Sequence, residues 1–226
     1  MLVLAIDTAL EACSAAVFDS ADGSVIASDS QIMVRGHAEA LMPILAAVMR
    51  QADISYAALD RIAVTVGPGS FTGLRVGIAA ARGLALATHK PAIGITTLQA
   101  LAAPYIAADP ATPVAAAIDG RHKHVYFQLF GVGGRVLLPP RMMPLAEAVH
   151  AAAGASARLV GSGAGLMAEL WPEDASPPEI DQRSAPDIDW VARLGARADP
   201  NEALPKPLYL RAAEAHPQTA TLVPRR

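Results

Sequence analysis

Residues 60–95, DRIAVTVGPGSFTGLRVGIAAARGLALATHKPAIGI, constrain the fold more than any other stretch. Arg61 to Val66 is a short β-branched run. Gly67-Pro68-Gly69-Ser70 ends it, because proline lacks a ladder donor and glycine frees the backbone. Ser70 predicts an N-cap for a helix from Phe71 to Thr88. Ala92 to Ile95 opens the next strand. A strand, a helix and a strand of this length form a crossover unit, so α/β is the expected class. The helix carries Gly73, Gly77 and Gly83, and each interior glycine costs roughly 1 kcal/mol relative to alanine. Gly73 and Gly77 are four apart, and Ala80, Ala81 and Leu84 extend the row into a ridge almost without side chains. Such a ridge admits another backbone, either the chain's own sheet or a partner.

Leu2 to Ile6 is a continuous apolar run, the pattern of a strand buried on both faces, and it ends at Asp7-Thr8. Cys13 to Phe18 and Ser24 to Val34 read as strands joined through Asp22-Gly23. An opening strand that ends in Asp before a hairpin recurs in actin-like ATPases, where such residues face a nucleotide. Asp7, Thr8 and Asp119 are therefore candidates for that role, and a turn-forming Asp is the plainer alternative. His37 to Gln51 reads as a helix with a stripe of Leu41, Ile44, Leu45 and Val48. Met42 and Met49 widen the stripe, with Ala38 and Ala46 beside them, as extra core or as a soft partner surface. Pro43 predicts a bend or a late start.

Thr97 to Ala107 is a further helix, and Asp109-Pro110 marks a boundary. We place a first lobe over 1–108, a second over 109–213, and a disordered tail over 214–226. The second lobe shows strands at Val114 to Ile118, His124 to Phe130, Arg135 to Leu138 and Arg158 to Val160. Helices are expected at Pro144 to Ala153, after Gly163 to Leu170, and at Asp187 to Ala198 with Trp190 and Leu194 on one face. Glu173 to Ser184 reads as a loop and Leu208 to Leu210 as a final strand.

The chain has 226 residues, 53% of them apolar, enough for a sizeable core. Its 18 basic and 21 acidic residues leave a net charge of −3, with no global drive toward nucleic acid or anionic membrane. No apolar run approaches the roughly 20 residues of a bilayer span. Met1 to Ile6 shows no signal-peptide pattern, and the single Cys13 fits a reducing cytosol. The glycine turn fails the Walker pattern, with Leu74 and Arg75 where Gly and Lys are needed. It fails the dinucleotide pattern at Thr72. His37 is followed one turn later by Leu41, so a helical metal pair is missing. Arg121, His122, Lys123 and His124 form the one compact basic run, read as a solvated edge. Cys13 reads as a buried structural thiol.

Ile6-Asp7-Thr8-Ala9, Glu11-Ala12-Cys13-Ser14, Gly67-Pro68-Gly69-Ser70-Phe71-Thr72-Gly73, Arg75, Gly77-Ile78, Gly83-Leu84-Ala85, Gly94, Thr97-Leu98, Ile118-Asp119, Arg121, Val125-Tyr126 and Tyr209-Leu210-Arg211 occur in this order. The series resembles the TsaB (YeaZ) family, the dimerization subunit of the bacterial tRNA threonylcarbamoyladenosine machinery. The resemblance implies an actin-like fold of two lobes and a cytoplasmic, non-catalytic subunit. It implies that a paralogue, TsaD, holds the metal and performs the transfer, and that an ATPase, TsaE, joins them. No cofactor is expected on this chain alone; ATP and metal are expected on the partners. The modified base is the adenosine next to the anticodon in tRNAs reading ANN codons, reached through the complex. The expected docking surface combines Gly73, Gly77, Ala80 and Ala81 with Ala38, Met42, Ala46 and Met49, and a homodimer could use the same face. Gly120 and His124 depart from the family pattern Asp-Ala-Arg-x-x-Glu-Val-Tyr. The competing readings are an autonomous actin-like kinase using Asp7 and Asp119, and a metallopeptidase.

Overall fold

The computed structural model describes residues 1–210. The chain begins with three strands, β1 (Leu2–Asp7), β2 (Ala12–Asp19) and β3 (Ser24–Ile32). Helix α1 (His37–Gln51), β4 (Arg61–Gly67), α2 (Phe71–Thr88), β5 (Ala92–Thr96) and α3 (Thr97–Ala108) follow. The same order then recurs: β6 (Val114–Asp119), β7 (His124–Phe130), β8 (Val136–Pro144), α4 (Leu145–Gly154), β9 (Arg158–Val160), α5 (Ala164–Ala168), β10 (Ile180–Asp181) and α6 (Ile188–Arg197). The sheets are ordered β3-β2-β1-β4-β5 and β10-β9-β6-β7-β8. In each, the first three strands are antiparallel and the last two join in parallel, as crossover helices require.

The central strands are buried on both faces, which explains their unbroken apolar runs. Leu4 and Ile6 of β1 face α1 and α2, whereas Val3 and Ala5 face α6. In the second sheet Ala115 and Ala117 face α4, whereas Val114, Ala116 and Ile118 face Leu98 and Leu101 of α3. The last helix of each half thus covers the other half's sheet. Ala100 of α3 shares a cluster with Val191 and Ala192 of α6, so the two helices meet between the sheets.

Several expectations need correction. Helix α6 and the chain after it lie on the first sheet, outside the second lobe to which a boundary at 109 assigns them. That helix buries Ile188, Val191, Ala192 and Gly195; Trp190 and Leu194 stay half-buried at its flank. Helix α1 runs through Pro43 from His37, with no late start. Strand β8 reaches Pro144, its prolines tolerated because it is a sheet edge. The expected loop over 173–184 contains the short β10. Residues 208–210 form no strand; the Leu208 amide instead donates to the Val66 carbonyl at 2.7 Å. Arg211 and the expected tail over 214–226 lie outside the described residues.

Candidate functional site

The glycines of α2 decide what this helix can present. Ser70 caps it, its hydroxyl accepting from the Gly73 amide at 3.2 Å. The turn after β1 lies directly on the helix. Thr8 donates its hydroxyl proton to the Gly73 carbonyl at 2.7 Å, and the Ser70 amide donates to the Ala9 carbonyl at 2.7 Å. A Cβ on Gly73 would collide with the Thr8 carbonyl oxygen, and one on Gly77 with the Thr8 hydroxyl. Ala81 is fully buried on the same side. Gly73, Gly77 and Ala81 therefore pack against the chain's own β1 turn and sheet, and are not a docking surface as the sequence reading had them.

The same packing seals the strand-end acid. Asp7 and Thr8 are buried. The Asp7 carboxylate accepts from the Thr65 hydroxyl at 2.6 Å and the Ala9 amide at 3.0 Å. Its second oxygen has no partner among the described residues. Burial pushes its pKa up to about 6, with the Thr65 and Ala9 hydrogen bonds pulling the other way. Leu10 packs against the cores of both sheets, and the His37 ring pairs with its carbonyl at 3.0 Å. Asp7 and Thr8 are enclosed, at 0% and 1% exposure, so neither side chain is open to a ligand from solvent in this fold. Asp7 and Thr8 are thus not nucleotide-facing. Asp119 is exposed at the end of β6, where it accepts from the Arg121 amide at 2.7 Å. Cys13 is buried among apolar residues, and burial pushes its thiol up to about 11, which keeps it unreactive. Among the described residues no three His, Cys, Asp or Glu side chains converge as a metal site.

With Gly73 and Gly77 turned inward, α2 turns outward a face of small and alkyl residues flanked by the exposed Arg75 and Arg82. Ala79, Gly83, Leu86 and Ala87 are exposed, and Val76 and Ala80 half-buried. Helix α1 packs beside it on the same face of the sheet. There Ala38, Ala46 and Met42 are exposed, Met42 by 52%, whereas Met49 is core at 4%. Of the expected docking residues, Ala38, Met42, Ala46 and Ala80 share this outer surface, and Met49 is corrected to the interior. Sequence spacing missed Ala79, Gly83 and Leu86. Their signal was the small and alkyl residues of α2 outside its packed stripe, interrupted by Thr72, Arg75 and Arg82. At the first turn of α2, Phe71 and Tyr209 stack with centroids 5.4 Å apart, and the Arg75 guanidinium lies 3.8 Å from the Phe71 centroid.

A family model described as tRNA N6-adenosine threonylcarbamoyltransferase, TsaD, matches residues 24–166, from β3 into α5. The chain is 41% identical over 127 residues to the tRNA threonylcarbamoyladenosine biosynthesis protein TsaB of Escherichia coli, covering 56% of this chain and 54% of that protein. It thus spans about half the length of the curated TsaB relatives it matches. The solved structure of YeaZ from Pseudomonas aeruginosa superposes with a TM-score of 0.76 at 30% identity, over 92% of this chain and 99% of that one. The chain belongs to the TsaB/YeaZ family. The ethanolamine utilization protein EutJ of Carboxydothermus hydrogenoformans shares the fold alone, with a TM-score of 0.50 at 11% identity. The family's two-lobed architecture is the actin-like one expected from the sequence.

Proposed function

We propose that this chain is a non-catalytic subunit in tRNA threonylcarbamoyladenosine synthesis that binds and activates a TsaD-like paralogue. The orientation of α2 carries the reading: Gly73 and Gly77 pack on the Thr8 turn, and a side of small and alkyl residues is left exposed beside α1. The shallow face of Ala38, Met42 and Ala46 with Ala79, Ala80, Gly83 and Leu86 suits ridge-into-groove packing with a pair of partner helices. Small residues let the backbones approach, and Met42 adapts to what it meets. The partner's own face carries the chemistry. ATP and metal belong to the paralogue and to a TsaE-like ATPase, and tRNA enters through the assembly. Two TsaB-type chains can use the same face when the paralogue is absent.

The test is co-purification with the TsaD-like paralogue of the same organism, then modification of tRNA with and without this chain. Stable binding and modification that depends on the chain are expected. ATP turnover by the isolated chain, without paralogue binding, would replace this reading with an autonomous kinase. That outcome would also require the buried Asp7 to become accessible.

A further inference from the structure

The turn between β6 and β7 has an unusual backbone. Arg121, His122 and Lys123 have φ values of 63°, 50° and 60°, three successive left-handed residues without a glycine. Such a run is disfavoured for any residue with a side chain. Hydrogen bonds hold it on every side. The Asp119 carboxylate accepts from the Arg121 amide at 2.7 Å. The Gly120 amide donates to the His124 carbonyl at 2.9 Å, and the His124 amide to the Arg121 carbonyl at 3.0 Å. From α4, the Leu145 amide donates to the Lys123 carbonyl at 2.8 Å.

What this rigid turn presents is cationic. Arg121, His122 and Lys123 are exposed, and none of them forms an ion pair among the described residues. The His122 and Lys123 amides have no acceptor among the described residues. His124 adds a second imidazole, one nitrogen 2.9 Å from the His122 carbonyl. Of the nearby acids, Asp119 is engaged with the Arg121 amide, and Glu147 sits in the first turn of α4. Open backbone amides flanked by a guanidinium and an ammonium are a donor set for phosphate. Strained turns that the surroundings hold in place are characteristic of binding sites.

We propose that the β6–β7 turn contacts the phosphate backbone of RNA, with Arg121 and Lys123 as its charges and the His122 and Lys123 amides as its fixed donors. The choice of RNA among phosphate carriers rests on the proposed role in tRNA modification. On a chain of net charge −3 the contact is local, so it positions tRNA without reading its sequence.

The experiment titrates labelled total tRNA with the whole chain, alone and bound to its TsaD-like paralogue, over a range of KCl, by fluorescence anisotropy. Arg121→Gly/Lys123→Gly removes both charges and suits the left-handed backbone, so it stays folded. It should weaken binding roughly tenfold at low salt and reduce the slope of log K against log[KCl] by about 2, one per cation. Arg121→Gln/Lys123→Gln should do the same. Arg135→Ala, an exposed cation at the far end of β7, should leave the slope unchanged. Equal isotherms for wild type and both double variants, or no tRNA binding by wild type in either form, would overturn the inference and leave paralogue binding intact. If the wild type fails to bind the paralogue, the proposed function falls, while tRNA binding by the chain alone still decides the role of the turn.

Discussion

Asp7 is where the residue scale is most informative. Its folded pKa of about 6 lies above the ordinary value of 3.8 because burial penalises the charge. Below the ordinary value the group is protonated in both folded and unfolded states and costs nothing. As pH rises through this window the unfolded chain ionises first, so the native state loses stability. Above about pH 6 that loss is complete, on the order of 3 kcal/mol. Asp7→Asn keeps an acceptor for Thr65 and Ala9 and carries no charge. Its melting temperature relative to wild type should therefore rise between pH 4 and 7 and stay level above, as calorimetry at several pH values would show. A constant difference across that range would mean that Asp7 titrates alike in the folded and unfolded chain, with no shift from burial. The glycines beneath α2 make a second case. Gly73→Ala forces the Thr8 carbonyl to move and should cost about 1–3 kcal/mol in urea denaturation. Gly77→Leu should cost more. The glycine row was legible in the sequence, but its direction was not, since spacing defines a stripe without saying how the helix is rotated about its axis.

At the scale of elements, the bounds of α1 followed from its periodicity and those of α2 from the Ser70 cap, and both agree with the structure to the residue. Their faces were harder to assign. Met42 and Met49 are seven apart and share a side of α1, yet one is half exposed and the other core. The difference arises beyond the helix. The chain leaving α1 folds back, the Ile54 amide donating to the Met49 carbonyl at 3.3 Å, and Ile54 and Tyr56 pack on the core around Met49. Met49→Ala should therefore cost about 2–5 kcal/mol of stability. Met42→Asp or Leu86→Asp, on the exposed faces, should change stability by no more than about 0.5 kcal/mol. Either should weaken capture of the TsaD-like paralogue at least tenfold in a titration. Wild-type affinity in folded Met42→Asp and Leu86→Asp would move the docking surface away from α1 and α2.

At the scale of the whole molecule, the repeated element order was partly visible in the sequence, but the exchange of α3 and α6 was not. An amphipathic helix states that it covers a sheet without stating which sheet. The exchange makes the two halves interdependent. Without α6, the first sheet would expose Val3, Ala5, Ala16, Ala63 and Ile93, all of which are fully buried or nearly so. Without the second sheet, Leu98 and Leu101 of α3 would have nothing to cover. Exposed apolar area of that kind costs about 25 cal/mol per Å², more than a marginally stable domain can bear. A fragment of residues 1–108 should therefore lack a cooperative melting transition and bind a hydrophobic dye, whereas residues 1–210 should melt in one step. Gly195→Val tests the same coupling within the intact chain. A Cβ there meets Ala63, so the larger side chain must lift α6 from the first sheet. Its melting should remain a single transition at lower temperature, seen equally by Trp190 and Trp171 fluorescence. Two separate transitions, or a 1–108 fragment with native near-ultraviolet dichroism, would show that each half carries its own stability and that the exchanged helices only link them.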